Sequence, residues 1–422
     1  MLLRSFKLFV AALMAALLSV ACTGSGDPAA APTGLAVKNG ESAVTVSWDM
    51  VDGVEYWLYF APTSMAPTTT ATMQGWFGLP GGNVFLKVGS PYFLTGLING
   101  LSYSFSVNGR TNGGPGGPGA GPVVVTPRLA GSSWTAGTAL AGGPDLFALA
   151  YGATAVTSST GSINTFVAAG VGGAVYSSLD GATWSSAVAA GGANINAAAY
   201  FGTFKLVGDG GLVLLSANAS SWTTQSSGTT QDLHAIASNF LNLNVAVGAK
   251  GTIITSPDGV TWTAASNSAT TRDLYAVGYN PFTGGWLAVG AGGTMVKSLD
   301  GSTWQNVTSN SLADLHSITY GVTSVLDGSA AMVVVGASGT VLTSSDGSNW
   351  TGASLPGAKA LNAVTFGTQF VAVGAGGTIY TSGDGLNWTL TPPVTTQDLY
   401  AVTRGSLSYS AVGAAGSNLL SR

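Results

Sequence analysis

The feature that most constrains this chain is a seven-residue phrase, Ser-x-Asp-Gly-x-x-Trp, that returns about every forty residues. It runs from Ser178 to Trp184, Ser256 to Trp262, Ser298 to Trp304, Ser344 to Trp350 and Ser382 to Trp388, with a degenerate copy from Ser216 to Trp222. Consecutive tryptophans from Trp184 to Trp388 lie 38, 40, 42, 46 and 38 residues apart. Two further phrases keep the same beat. Val-Gly-x-x-Gly precedes the copies at Val207-Gly208, Val247-Gly248, Val289-Gly290, Val335-Gly336 and Val373-Gly374, with Ala169-Gly170 in the first unit. Asp-Leu-x-Ala opens units at Asp145, Asp232, Asp273 and Asp398, and Asp314-Leu315-His316-Ser317 is a near match. A period of this kind means stacked copies of one supersecondary unit, none of which buries its apolar face alone.

One unit shows what is being copied. Asp273–Val277 reads as an inner strand, Trp286–Val289 as a second and Thr294–Lys297 as a third, with Thr303-Trp304 beginning the outer one. The Asp300-Gly301 step between the last two reads as a two-residue hairpin, because such a turn needs positive φ and the Asp carboxylate accepts backbone N–H groups there. Composition agrees: 62 glycines and only 7% charged residues suit short strands and tight turns rather than helices. Four strands per forty residues indicate the blades of a β-propeller. Val-Gly phrases number seven, the last at Ala411-Val412-Gly413, and that unit reaches Arg422 without a Trp phrase. Conversely, Ser132-Ser133-Trp134 supplies an outer-strand tryptophan with no blade before it. The expectation is an all-β, seven-bladed propeller over 129–422, its N-terminal strand pairing into the last blade and so removing the free sheet edges.

The repeated phrase resembles the Asp-box, or BNR, repeat of sialidases, sortilin-type receptors and photosystem assembly factors, with one residue fewer between Asp and Gly. The resemblance implies structural turns at Asp180, Asp258, Asp300, Asp346 and Asp384. Residues 32–128 read as a separate all-β unit. Val44, Val46 and Trp48 alternate with Thr45 and Ser47, Tyr56–Tyr59 form a second strand, and Gly113–Gly121 is a last hairpin loop. The opening Pro32-Thr33-Gly34-Leu35-Ala36-Val37, the Ser47-Trp48 pair, the stretch Leu97–Tyr103 before Phe105, and Val123-Val124-Val125-Thr126-Pro127 together resemble a fibronectin type III domain, Tyr103 standing as its tyrosine corner. Such domains act as spacers or interaction modules. The loop carries Arg110-Thr111-Asn112 where some members carry Arg-Gly-Asp.

The first segment reads as a targeting signal. Arg4 and Lys7 precede an apolar run from Leu8 to Ala21, too short to span a bilayer, which takes about 20 apolar residues. Cys22 is the only cysteine. Leu18-Ser19-Val20-Ala21-Cys22 resembles a bacterial lipobox, although Ser19 stands where that motif has Leu. The resemblance implies cleavage after residue 21, lipidation of Cys22, a linker over 22–31 and, from Thr23, an outer-membrane address. Ordinary signal-peptidase cleavage after Ser19-Val20-Ala21, giving a secreted soluble protein, is the alternative.

The inventory for catalysis is thin. Twelve carboxylates follow residue 128, all Asp, and ten belong to the repeated phrases; only Asp209 and Asp327 stand outside them. A glycosidase needs two carboxylates across one bond, so that pair is the candidate for a propeller-type glycoside hydrolase acting on an extracellular polysaccharide. A sialidase, by resemblance, needs an arginine cluster, and the propeller segment holds only Arg272, Arg404 and Arg422. No His-Glu-x-x-His spacing is present, and each Asp-Gly turn offers one carboxylate where calcium takes six to eight oxygens. We therefore expect no enzyme activity, no metal and no cofactor. A net charge of −4 without a basic patch argues against nucleic acid as a partner.

What remains is a surface. The slot that holds His234 and His316, two residues after the opening Asp of their units, carries Phe147, Asn196, His234, Tyr275, His316, Asn362 and Tyr400 around the seven units. These residues stand near the start of each inner strand, hence near one mouth of the central channel. Aromatics and amides together suit glycan or peptide contact; packing between blades is the competing role. The expected function is that of an exported envelope lipoprotein whose propeller is a platform for an envelope protein or glycan.

Overall fold

The computed structural model describes residues 26–422 except 69–72, 139, 141, 156–161, 187–191, 240–242, 282, 324–328, 354, 356, 358 and 407. The expected signal segment, Cys22 and Asp327 lie outside the described residues. The chain divides into two compact units, Met1–Leu129 and Ala130–Arg422.

The first unit holds seven strands, β1 (Ala36–Gly40), β2 (Ala43–Ser47), β3 (Val54–Pro62), β4 (Asn83–Phe85), β5 (Tyr92–Thr95), β6 (Tyr103–Thr111) and β7 (Gly119–Val125). They form one sheet in the order β1-β2-β5 and another in the order β4-β3-β6-β7. Alternation in β2 turns Val44 and Val46 inward, where they meet Leu58, Phe60, Phe105 and Val107 in a shared core. Within that core Tyr103 reaches back along the chain, and its hydroxyl accepts the Ile98 N–H at 3.2 Å. The stretch expected to be a free linker is pinned in part. Pro28 bridges to Arg110, and the Thr111 hydroxyl donates to the Asp27 carbonyl at 2.6 Å. The edge of β6 there has backbone groups that need partners.

Among the described residues the second unit contains seven four-stranded antiparallel sheets. Their inner strands are Leu146–Ala155, Ile195–Phe201, Leu233–Ser238, Leu274–Asn280, Leu315–Val322, Leu361–Phe366 and Leu399–Arg404. Each inner strand packs on the next, and the seventh returns to the first. In the last sheet the fourth strand comes from the far end of the unit: Leu419 pairs with Ala136 and Leu420 with Thr135. Trp134 is buried beside Val371, Val373 and Ile379 of the sixth sheet and Tyr409 and Leu419 of the seventh.

The Asp-Gly connection differs from a two-residue hairpin. Lys297 pairs with Gln305, so the loop runs through Trp304 and the outer strand begins two residues later than expected. The reason is local hydrogen bonding. The Asp300 Oδ1 accepts the Ser302 and Thr303 N–H groups at 2.8 and 2.7 Å, while the Ser298 hydroxyl accepts the Gly301 N–H at 2.8 Å. Gly301 sits at φ +76°, and Trp304 Nε1 donates to its carbonyl at 2.9 Å. The phrase is thus a self-contained loop that turns its tryptophan back between sheets.

Candidate functional site

The seven slot residues owe their position to a repeated backbone irregularity. In every sheet the pairing of inner with second strand skips one residue, as between Leu233 and Ala235 opposite Gly248 and Val247. The same skip falls at residues 147, 196, 275, 316, 362 and 400. An unpaired bulge residue is re-aimed relative to its neighbours. Here the bulged residue is the slot residue each time, and all seven are half-buried.

The polar members bond to the next sheet around the ring. His234 Nδ1 lies 3.0 Å from the Leu274 carbonyl and His316 Nδ1 lies 2.9 Å from that of Leu361. Asn362 Nδ2 donates to the Leu399 carbonyl at 2.9 Å and Asn196 Nδ2 to that of Leu233 at 3.1 Å. A carbonyl only accepts, so each imidazole carries its proton on Nδ1 and keeps a lone pair on Nε2 when neutral. The aromatic members meet side by side: Phe147 and Tyr400 at 5.4 Å, and Tyr275 between His234 at 5.6 Å and His316 at 6.1 Å. The ring therefore joins sheets and also leaves polar edges and aromatic surface half open.

A second circle surrounds it. The carboxylates of Asp232, Asp273, Asp314, Asp398 and Asp145 each accept the middle N–H of the 3₁₀ turn in the preceding sheet, from Gly210, Lys250, Gly292, Gly376 and Ala415, at 2.7–2.9 Å. Asn194 does the same for Gly172 at 3.0 Å. At the remaining joint, fifth sheet to sixth, Ala360 fills the position, and among the described residues no side chain accepts the Ser338 amide. The opening Asp is thus a clamp between neighbours, a role the sequence left unassigned. Asp209 is held by the side-chain amides of Asn194 and Asn196 at 2.9 and 2.8 Å, and the geometry of an Asp209–Asp327 pair falls outside the described residues.

The five turn aspartates share one environment. Backbone amides, with the Ser hydroxyl, hold the carboxyls of Asp258 and Asp346 below the usual range and that of Asp300 at about 2. For Asp180 and Asp384, burial opposes the same bonds and loses: Asp180 is lowered, and Asp384 lies at about 2. Each Oδ1 serves its own loop, as the resemblance implied.

Sequence reasoning missed a cavity of about 500 Å³ at the rim between the fourth and fifth sheets, floored by Trp286, Leu287 and Met332 and edged by Lys297, Asp300 and Asp346. A second cavity of about 240 Å³ shares Asn280, Leu287 and Met332 with it and adds Tyr279 and Tyr320. The register explains the space. The residue opposite the phrase's Ser, or opposite Ser421 in the last sheet, is Phe166, Phe204, Trp286, Phe370 or Tyr409 in five sheets, but Asn244 in the third and Met332 in the fifth. A thioether fills less than a ring.

The sequence matches no protein-family model and no curated protein. Its architecture does match solved structures. YCF48 from Cyanidioschyzon merolae aligns with a TM-score of 0.53 at 16% identity, over 69% of this chain and 98% of that one. A structure of YCF48 bound to D1 peptide aligns with a TM-score of 0.54 at 17% identity, over 70% and 98%. The WD40 β-propeller domain of Doa1 aligns with a TM-score of 0.53 at 11% identity, over 69% and 97%. The chain carries a β-propeller. At such identities the likeness speaks for the fold alone.

Proposed function

We propose that this protein is an exported envelope lipoprotein whose propeller, with seven blades, is a platform for binding another envelope component, and that it has no catalytic role. The observation that carries the reading is the ring: seven half-buried side chains, each re-aimed by a bulge, placing aromatic, imidazole and amide groups around one channel mouth. Sheet closure by Thr135–Ala136 supports counting the seven sheets as blades of one ring. The three-plus-four sheet pairing and the Tyr103–Ile98 bond support a fibronectin type III spacer in the first unit. A structurally similar propeller is solved with a peptide bound, which favours a protein over a glycan as partner. Export and lipidation rest on Arg4, Lys7, the apolar run and Cys22.

Affinity capture from a solubilised envelope fraction tests the platform, with His316→Ala and Tyr275→Ala as paired baits. The reading holds if a defined protein is retained by the wild type and lost with both variants. It falls if retention is unchanged. Incorporation of labelled fatty acid into wild type but not Cys22→Ser tests the anchor. Polysaccharide hydrolysis abolished by Asp209→Asn would instead establish the glycoside hydrolase.

A further inference from the structure

The histidines of the ring offer acceptors to whatever enters it. His234, His316, Asn196 and Asn362 all point an N–H at a carbonyl of the next sheet. What the two histidines and Asn196, whose second N–H goes to Asp209, have left for a ligand is Nε2 or Oδ1, both acceptors, while Asn362 keeps its Oδ1 and one N–H. The clamp carboxylates stand around the same mouth. Asp273 and Asp314 each engage the protein through one oxygen, at the amides of Lys250 and Gly292.

Their charge reaches the channel side chains. Burial first, and then the carboxylates of Asp314 and Asp273, push the Tyr275 hydroxyl up; burial, Asp145 and Asp398 do the same to Tyr400. Three cations, Lys250, Arg272 and Lys359, share this face, and Arg272 donates to the Gly292 carbonyl. None pairs with a clamp carboxylate: among the described residues the one ion pair is Lys87–Glu55, in the other unit. Acceptors, aromatic surface and five carboxylates against three cations converge on one place.

From this we propose that the channel mouth binds a cationic side chain of a protein partner, arginine above lysine. The inference rests on the platform reading and names its chemistry. A guanidinium is planar, carries five N–H donors and stays charged. It can donate to the Nε2 and Oδ1 acceptors while lying against Tyr275 or the Phe147–Tyr400 pair.

The chain contains two histidines, both in the ring, so histidine-labelled protein carries its own reporters. The probe is the peptide Ac-Gly-Gly-Arg-Gly-Gly-amide, with Glu and Gln versions as controls, titrated while the two imidazole Cε1–H signals are followed by NMR. The arginine peptide should shift both signals saturably, with the effect lost in high salt, and the glutamate peptide should shift neither. Asp273→Asn with Asp314→Asn should weaken the arginine peptide about two- to five-fold per charge removed. Asn already makes this clamp at position 194, so the double variant keeps its fold. Equal shifts from the arginine and glutamate peptides, or undiminished affinity in the double variant, overturn the proposal. Displacement of a captured partner by the arginine peptide supports it. Capture that a saturating arginine peptide leaves undisturbed refutes this inference alone and leaves the platform standing.

Discussion

Replacing Trp134 by alanine tests the closure on which the second unit depends. Trp134 is 6% exposed, and its Nε1 donates to the Gly131 carbonyl at 2.9 Å. The Gly131 N–H in turn donates to the Ser421 hydroxyl at 2.7 Å, and the Gln369 side chain donates to the Ala130 carbonyl at 2.8 Å. The strand it anchors is two residues long, so side-chain burial rather than the ladder holds it. Truncating a buried Trp to Ala costs about 3–5 kcal/mol, against a total stability of roughly 5–15 kcal/mol. Unfolding entropy near 2.1 cal/mol/K per residue gives roughly 0.6 kcal/mol/K for a unit of this size, so the midpoint should fall by about 5–8 °C. Differential scanning calorimetry of the full chain measures this, with the transition of the first unit as internal reference. Trp134→Phe should recover about half the loss, since most of the buried area returns. A loss below about 1 kcal/mol in the alanine variant would mean that Trp134 does not fasten the ring.

Three other outcomes are expected. Ala360→Asp supplies the missing clamp to the Ser338 amide and should raise stability by about 1 kcal/mol, the low end for a charge-assisted bond at a partly exposed site; an unchanged denaturation midpoint would count against the clamp. Lys205 is 2% exposed, its ammonium donates to the Phe201 carbonyl and the Thr203 hydroxyl, and burial lowers it to about 8. The folded state thus releases that proton before the unfolded one does, and stability should rise between pH 8 and 10.5. Lys205→Leu, matching Val245 and Leu287 at this register, should stabilise by about 1–3 kcal/mol at pH 7 and flatten that rise. The turn aspartates shift the opposite way. With Asp300 and Asp384 at about 2 when folded, their contribution is complete above about pH 4 and disappears as pH falls through 2. Acid titration followed by tryptophan fluorescence should show less loss over that window in Asp300→Asn.

Features that a few neighbouring residues build together were open to reading from sequence. The Ser-x-Asp-Gly-x-x-Trp loop closes its bonds within three positions, and its recurrence every forty residues requires sheets of one kind. Tyr103 at the corner belongs to the same class, bonding five residues back. Even closure was implicit in a tryptophan without a strand set of its own. The hairpin reading of Asp300-Gly301 missed because side-chain acceptors lengthened the loop.

What a side chain does to the neighbouring sheet was settled only in three dimensions. Four of the opening aspartates bond across 22 or 23 residues to the turn of a Val-Gly-x-x-Gly phrase, and Asp145 across 270, a pairing that neither phrase announces, and each slot residue is the one skipped where its inner strand bulges. The rim cavity is lined by Met332, a thioether at a register position held by rings in five of the other six sheets. Local hydrogen bonds are written in adjacent letters, whereas register, bulges and facing partners arise when sheets pack. Sequence determined the repeated unit, and packing decided which of its side chains face one another.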